Sequence, residues 1–103
     1  MHARVIAFSG APAENREQAE ELIRGTVLPM LRSYDGFAGY LALFDPANER
    51  AQGIILWDSK DAAMTAEETL AERRAGMASS IGFTIESADL YEAVVVELEG
   101  ARV

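Results

Sequence analysis

The chain has no cysteine and a single histidine, and it is poor in positive charge. Without cysteine there is no disulfide, no thiolate metal site and no thiol nucleophile, and one histidine, His2, argues against an all-protein zinc site. Asp and Glu number 17 against 9 Lys and Arg, which gives a net charge of −8. Because nucleic acids and anionic membranes bind clustered Lys and Arg, we expect neither as a partner.

Long hydrophobic runs are also missing. The first apolar run, residues 5–8, is followed by Ser9 and Gly10, so it is too short for a signal sequence or a membrane span, and we expect a cytoplasmic protein. The length of 103 residues fits one domain, residues 1–103. The sequence has no glycine-rich phosphate loop, and we expect no flavin, haem or transition metal as cofactor.

Residues 34–63 contain two strand-like runs that are apolar on both faces. Each run alternates two apolar sets of side chains: Phe37, Leu41 and Leu43 with Tyr40, Ala42 and Phe44, then Ile54 and Leu56 with Ile55 and Trp57. The loop at residues 45–50, with a proline and Asx residues, predicts a reversal that joins them as an antiparallel hairpin. Antiparallel strands usually keep one polar face. Since the chain's own helices cover only one face, we expect a second copy to cover the other, giving a homodimer.

Two helices flank this hairpin. The first is predicted from Arg16, after a capping box formed by Asn15 and Gln18, and Gly25 and Pro29 predict a kink or an altered last turn. The second is predicted over residues 60–75, with Ser59 as N-cap and an end near Gly76. Its charged residues predict a solvent-exposed side that includes Glu67, Glu68, Glu72, Arg73 and Arg74.

Strands are predicted at both ends of the chain, over residues 4–8 and over residues 83–98 with an interruption near residues 87–89. The order is therefore β-α-β-β-α-β. This order predicts an α+β, ferredoxin-like fold, a four-stranded antiparallel sheet with two helices on one face. With the homodimer, it predicts a dimeric α+β barrel.

Two segments carry a family resemblance: residues 35–39, DGFAG, and residues 53–62, GIILWDSKDA. Together with the late segment YEAVV at residues 91–95, they resemble the antibiotic biosynthesis monooxygenase (ABM) domain, whose members fold as dimeric α+β barrels. The likeness covers nearly the whole chain. It implies a fold more specifically than a function, because the superfamily includes oxygenases, haem-degrading enzymes and proteins without assigned activity.

In the polyketide-tailoring members, the resemblance implies oxidation of a hydroxylated aromatic compound by dioxygen without a cofactor. The protein binds and orients a phenol whose deprotonated form reacts with oxygen. Their motif has an asparagine four residues before the strand-end tryptophan and a tyrosine six residues after it. Trp57 and Ser59 match that motif, whereas the other two positions hold Gly53 and Ala63.

The haem-degrading members have a histidine and a tryptophan on the second helix and an asparagine on the first strand. The second helix predicted here contains neither residue, and the first strand has no asparagine. Without an axial ligand for iron, haem degradation is not expected.

Several residues are candidates for a substrate site, each with a packing alternative. Trp57 stacks on an aromatic ligand or packs in the core, and Tyr40 and Tyr34 orient a substrate or are buried with one hydrogen bond. Met64 and Met77 line an adaptable cavity or fill gaps. His2 is the one side chain suited to proton exchange near neutral pH, and it is either a catalytic base at a pocket mouth or a frayed terminal residue.

Two functions therefore remain open from the sequence. One is a cofactor-independent monooxygenase, or a degenerate relative, acting on a small aromatic or polyketide-like compound. The other is a dimer that binds a small molecule or has a structural role without catalysis. The presence of Trp57 favours the first, and the absence of the motif's asparagine and tyrosine favours the second.

Overall fold

A computed structural model describes residues 1–100 as a four-stranded antiparallel sheet with helices on one face. The strands are β1 (His2–Ser9), β2 (Phe37–Asp45), β3 (Arg50–Trp57) and β4 (Thr84–Glu92), in the spatial order β2-β3-β1-β4. All three neighbouring pairs are antiparallel. The predicted ferredoxin-like topology is confirmed.

The predicted hairpin is confirmed, with a single turn of 3-10 helix, Pro46–Asn48, between β2 and β3. Glu49 ends that turn in the left-handed region, with φ of 51°. The side chain of Asp45 accepts hydrogen bonds from Asn48 and Arg50, which fixes the loop. These hydrogen bonds hold the pKa of the Asp45 carboxyl below its ordinary value.

The first helix is interrupted, as Gly25 and Pro29 predict. It consists of α1 (Arg16–Leu22), a π-helical turn (Ile23–Val27) and α2 (Leu28–Arg32). A proline ring inside an α-helix collides with the carbonyl four residues earlier, which for Pro29 belongs to Gly25. The wider π turn contains that carbonyl and separates α1 from α2.

The predicted capping box at Asn15 is wrong. Pro12 leads into a turn of 3-10 helix, Ala13–Asn15, so Asn15 already has helical backbone angles and its side chain does not cap α1. The amide of Asn15 instead donates a hydrogen bond of 3.2 Å to the carbonyl of Ile81, across the fold. This bond ties the start of the first helix to the end of the second.

The second helix, α3 (Lys60–Ser80), is longer than predicted. The predicted N-cap is confirmed, since Ser59 Oγ accepts a hydrogen bond from the backbone N–H of Ala62. The predicted end near Gly76 is wrong, and the helix continues through this residue. A single glycine lowers helix stability by only about 1 kcal/mol, which is too little to end a helix that is packed on the sheet. The helix ends at Ser80, and Gly82, whose φ is 77°, allows Phe83 N–H to donate to the carbonyl of Ala78, the closing bond of a Schellman motif.

The last strand is shorter than predicted. Residues 87–89 lie within β4, whose only irregularity is a bulge opposite Ala7 and Phe8. Val94, Val95 and Val96 lie outside it, although their composition is β-prone. The pairing of β4 with β1 ends at Glu92, which lies opposite His2, and the backbone N–H of Ala93 then donates to the carbonyl of Met1. The pairing with β4 extends to His2, so β1 begins two residues earlier than the predicted start at residue 4.

The two sheet faces differ in their cover. The face toward the helices contains Ile6, Ile55 and Trp57, which form a core with Leu31 and with the small and apolar residues of α3. The opposite face contains Leu41, Leu43 and Tyr91, all exposed. Within the described residues, no helix is both long and apolar enough to cross a membrane.

Candidate active site

An apolar cavity lies between the sheet and the helices. Its solvent-accessible volume is about 100 Å³, within a larger empty space of about 780 Å³ that is partly open to solvent. The first helix contributes to the walls through Ile23 and Val27 of the π turn. The sheet and the segment after α3 complete the walls with Ile6, Phe8, Phe44, Ile55 and Phe83. This lining suits an apolar ligand.

Three polar residues line this cavity, and two of them, Tyr40 and Arg74, come from opposite layers, whereas Gln52 is exposed. Tyr40 lies in the middle of β2, paired with Ile55, and Arg74 comes from α3. No side chain in the described part of the chain forms a hydrogen bond with the Tyr40 hydroxyl. Burial raises the pKa of Tyr40, and the charge of Arg74 only partly opposes that effect. Tyr40 is therefore protonated at neutral pH and acts as a hydrogen-bond donor.

The absence of a side chain at Gly53 makes room for the Tyr40 hydroxyl. A Cβ atom on Gly53 would lie 2.9 Å from Tyr40 Oη, closer than real Cβ contacts allow. Glycine at this position therefore leaves room for the phenol. Gly53 is also the position at which the ABM motif has asparagine, so in this chain a tyrosine hydroxyl from the neighbouring strand lies where a side chain at residue 53 would begin.

Arg74 is held by an ion cluster beneath α3. Both carboxylate oxygens of Glu67 accept hydrogen bonds from the Arg74 guanidinium, at 2.9 and 2.7 Å. On β1, Arg4 Nε lies 3.7 Å from Glu67 Oε1. Burial alone would raise the pKa of Glu67, but the hydrogen bonds and charges of the two arginines outweigh it and keep that pKa below its ordinary value. Glu67 is thus ionised at neutral pH.

Trp57 lies away from the cavity. Its side chain is 1% exposed, and the rings of Tyr34 and Phe37 meet it edge-on at centroid distances of 6.3 and 6.1 Å. The hydroxyl of Tyr34 is hydrogen-bonded to Thr69 Oγ1 at 2.7 Å. The structure therefore places Trp57 and Tyr34 in the packed core, which corresponds to the alternative that the sequence left open.

Of the remaining predicted site residues, Met77 lies at the cavity, whereas Met64 and His2 do not. Met77 lines the cavity beside Tyr40. Met64, which was expected to face the sheet, is 53% exposed, because it lies one residue past Ala63 on the outward side of α3. His2 is neither frayed nor at the cavity, since it pairs with Trp57 and Glu92 within β1. Phe8, at the cavity, is six residues away along an extended strand, a span of about 20 Å.

Arg74 is the residue that the sequence interpretation missed. It was assigned with Glu67 to a solvated side of the helix, yet only 9% of it is exposed. The signal was its spacing, because Arg74 is four residues after Leu70 and four before Ala78, both buried on the same side of α3. A charged residue within an apolar stripe is usually paired, and here the pair is Glu67.

Comparisons with known proteins give matches by structure alone: no family model matches the sequence, and no curated protein matches it. A monooxygenase of Streptomyces coelicolor, solved in complex with nanaomycin D, has a TM-score of 0.69 and 19% identity over 96% of this chain and 92% of that chain. SnoaB, a cofactor-independent oxygenase from Streptomyces nogalater, has a TM-score of 0.63 and 20% identity over 95% and 97%. A dimeric ferredoxin-like protein from an uncultured marine organism has a TM-score of 0.63 and 12% identity over 96% and 100%. The chain therefore has the fold of ABM-type monooxygenases.

Proposed function

We propose that this protein is a cofactor-independent monooxygenase that oxidises a small hydroxyaromatic compound in the cavity beside Tyr40 and Arg74. One observation supports this function above all: a largely apolar cavity is bordered by two hydrogen-bond donors, the neutral hydroxyl of Tyr40 and the guanidinium of Arg74, of which Glu67 occupies only part. A phenolic ring fills the apolar space, and its oxygen accepts hydrogen bonds from both groups. The oxygenases of the same fold support the assignment.

The proposed reaction needs an electron-rich ring and dioxygen. Loss of the phenol proton gives a phenolate, which donates electrons to dioxygen at a ring carbon. One oxygen atom becomes a carbonyl at that carbon in place of C–H, the phenol oxygen becomes the second carbonyl, and the other oxygen atom leaves as water. Tyr40 and Arg74 orient the phenolate, and the apolar walls keep water from the ring.

Oxygen consumption tests this function. With electron-rich hydroxynaphthalenes or anthrones, we expect one dioxygen consumed per quinone formed, without added flavin, haem or metal. Tyr40→Phe removes one donor to the reacting oxygen and lowers kcat/KM by about 100-fold. Tyr91→Phe is the matched control, because Tyr91 is 56% exposed on the opposite sheet face, and we expect no change. Equal rates for the two variants would contradict the assignment of Tyr40.

A ligand-binding role without catalysis is the second candidate. The replacement of the motif's asparagine and tyrosine by Gly53 and Ala63 supports it, since Ala63 is fully buried beside Trp57 and adds no polar group to the cavity. Saturable binding of hydroxyaromatics without oxygen consumption would favour this role over the monooxygenase.

We also propose that the protein is a homodimer joined through the open sheet face. Leu41 and Leu43 on β2 are 39% and 46% exposed, and Ile54 on β3 faces the same way. Ile54→Glu places a charge in this interface, and we expect dissociation in sedimentation experiments at micromolar concentration. Thr65→Glu, on the exposed side of α3, is the control. A wild-type monomer at that concentration would contradict the dimer.

A further inference from the structure

The ion cluster behind the cavity has an excess of positive charge. Arg4 and Arg74 both approach the same oxygen of Glu67, Oε1, at 3.7 and 2.7 Å. Arginine side chains remain charged in proteins, and Glu67 is ionised, so the cluster holds two positive charges and one negative charge. The two arginine side chains are only 10% and 11% exposed. Water therefore neutralises the excess charge poorly.

Both arginines retain unused hydrogen-bond donors. The Arg74 guanidinium has five N–H groups, and Glu67 accepts two of them. No other acceptor in residues 1–100 takes a hydrogen bond from Arg74, and Arg74 borders the cavity. Arg4 Nε is fully buried without a hydrogen-bond partner. Arg4 is not among the residues of the cavity wall, so the unused donors of Arg74 are the ones that a ligand in the cavity can reach.

The cavity wall contains no group that can remove a proton from a ligand. Among the residues of the wall, the titratable side chains are Tyr40 and Arg74, and at neutral pH both are donors. Both oxygens of Glu67 are occupied by Arg74. His2 lies at the opposite end of β1. A ligand that reacts as an anion must therefore lose its proton to solvent.

We propose that Glu67 and Arg4 are positioning residues which leave one unit of positive charge at the cavity, so that the cavity binds a hydroxyaromatic ligand as its oxyanion. Glu67 fixes the fork of Arg74 and directs the free donors of Arg74 to the ligand oxygen. Arg4 compensates the charge of Glu67, so that Arg74 acts as an uncompensated cation. Charge stabilisation replaces a protein base, and the ligand class is a planar phenol or enol with one ionisable oxygen. This inference rests on the proposed cavity site, but it does not require oxygenation.

Umbelliferone tests the inference, because this planar hydroxycoumarin has different absorption spectra as phenol and as phenolate. Its methyl ether, herniarin, has the same ring system but cannot ionise. We expect the phenol pKa of umbelliferone bound to the wild-type protein to be lower than that of the free compound by about one unit or more. By linkage, the anionic form then binds about tenfold more tightly than the neutral form. Herniarin binding is expected to be independent of pH over the same range.

Variants separate the roles of the charges. Arg4→Met keeps an apolar stem but makes the cluster neutral, and we expect at least half of the pKa shift to disappear while herniarin affinity is unchanged. Arg4→Lys keeps the charge and is expected to restore the shift. Arg73→Met is the matched control, because Arg73 is exposed on α3 and its removal changes the net charge of the protein equally. We expect no change in the shift for this control.

The outcomes distinguish this inference from the proposed function. Binding of both coumarins with an unshifted or raised phenol pKa in the wild-type protein would overturn the inference and leave the cavity as a binding site. The same loss of shift in Arg4→Met and Arg73→Met would also overturn it. Failure of both coumarins to bind would contradict the cavity site and the inference together. The wild-type measurement decides the matter even if Arg4→Met fails to fold.

Discussion

The helix-covered face of the sheet has two ends that are packed differently. At one end, Trp57 is surrounded by Tyr34, Phe37 and the two small residues Ala63 and Ala66 of α3. At the other end, three phenylalanines lie on the wall of the cavity: Phe83, with Phe8 and Phe44 at centroid distances of 6.1 and 6.3 Å. Both ends are rich in aromatic residues. Only the second leaves space for a ligand.

The helical layer explains this difference. Residues 63 and 66 of α3 are alanines, whose small side chains allow the helix to pack closely on the sheet. The indole of Trp57 fills the space between the helix and the sheet. At the cavity end, the π turn Ile23–Val27 widens the first helix, and a π turn within a helix is frequently found at functional sites. Helix irregularity and glycine at residue 53 thus mark the cavity end, whereas close packing marks the Trp57 end.

Removal of the indole gives the largest expected effect on stability. Trp57→Ala leaves a large void at the filled end, and we expect the free energy of unfolding to fall by about 3–5 kcal/mol. Urea denaturation followed by circular dichroism measures it, since the protein has no other tryptophan. Herniarin affinity of the folded variant is expected to stay within twofold of wild type. A stable variant that no longer binds herniarin would reverse the roles of the two ends.

Enlarging a side chain tests the available space directly. Ala66→Leu overfills the end that contains Trp57, and we expect a loss of about 1–3 kcal/mol in the free energy of unfolding. Val27→Phe adds volume on the cavity wall instead, and we expect little change in stability together with loss of coumarin binding. Thermal unfolding and equilibrium dialysis measure the two quantities. Equal destabilisation by both substitutions would mean that the cavity end is as tightly filled as the other end.

The smallest expected effect on stability comes from Gly53→Ala. Its methyl group would collide with the flexible tip of Tyr40, so the hydroxyl moves and we expect less than about 1 kcal/mol of destabilisation. Umbelliferone binding is nevertheless expected to weaken, because the displaced hydroxyl no longer meets the ligand oxygen. Gly76→Ala is the control, since beyond its chain neighbours and its own helix backbone no atom lies within 4 Å of the added methyl, and alanine stabilises a helix by about 0.5–1 kcal/mol. Unchanged umbelliferone affinity in Gly53→Ala would separate Tyr40 from the site.

The fold was accessible from the sequence because its signals are local. The alternation in β2 and β3, the loop at Pro46 and the N-cap at Ser59 each depend on neighbours in the chain, and each was confirmed. The errors occurred where a distant partner decides. Val94 lies outside β4 because the pairing with β1 ends at Glu92, and Asn15 bonds to the carbonyl of Ile81 rather than to its own helix.

The site was less accessible for the same physical reason. Trp57 is the conspicuous motif residue, but whether it packs or binds depends on how closely α3 approaches the sheet. Arg74 was hidden because its burial depends on how α3 packs on the sheet, and only the fold brings Arg4, 70 positions earlier in the sequence, to the same Glu67. Tyr40 was selected from the sequence, yet its relation to Gly53 depends on the pairing of β2 with β3.

A crystal structure of the protein with bound umbelliferone tests the central claim most directly, namely that the site lies beside Tyr40 and Arg74 rather than at Trp57. We expect the coumarin ring between the π turn and the sheet, with its hydroxyl oxygen within hydrogen-bond distance of Tyr40 Oη and of an Arg74 nitrogen. The ring of Trp57 is expected to keep its edge-on contacts with Tyr34 and Phe37. A coumarin stacked on Trp57, or bound on the open sheet face with the cavity empty, would contradict the account.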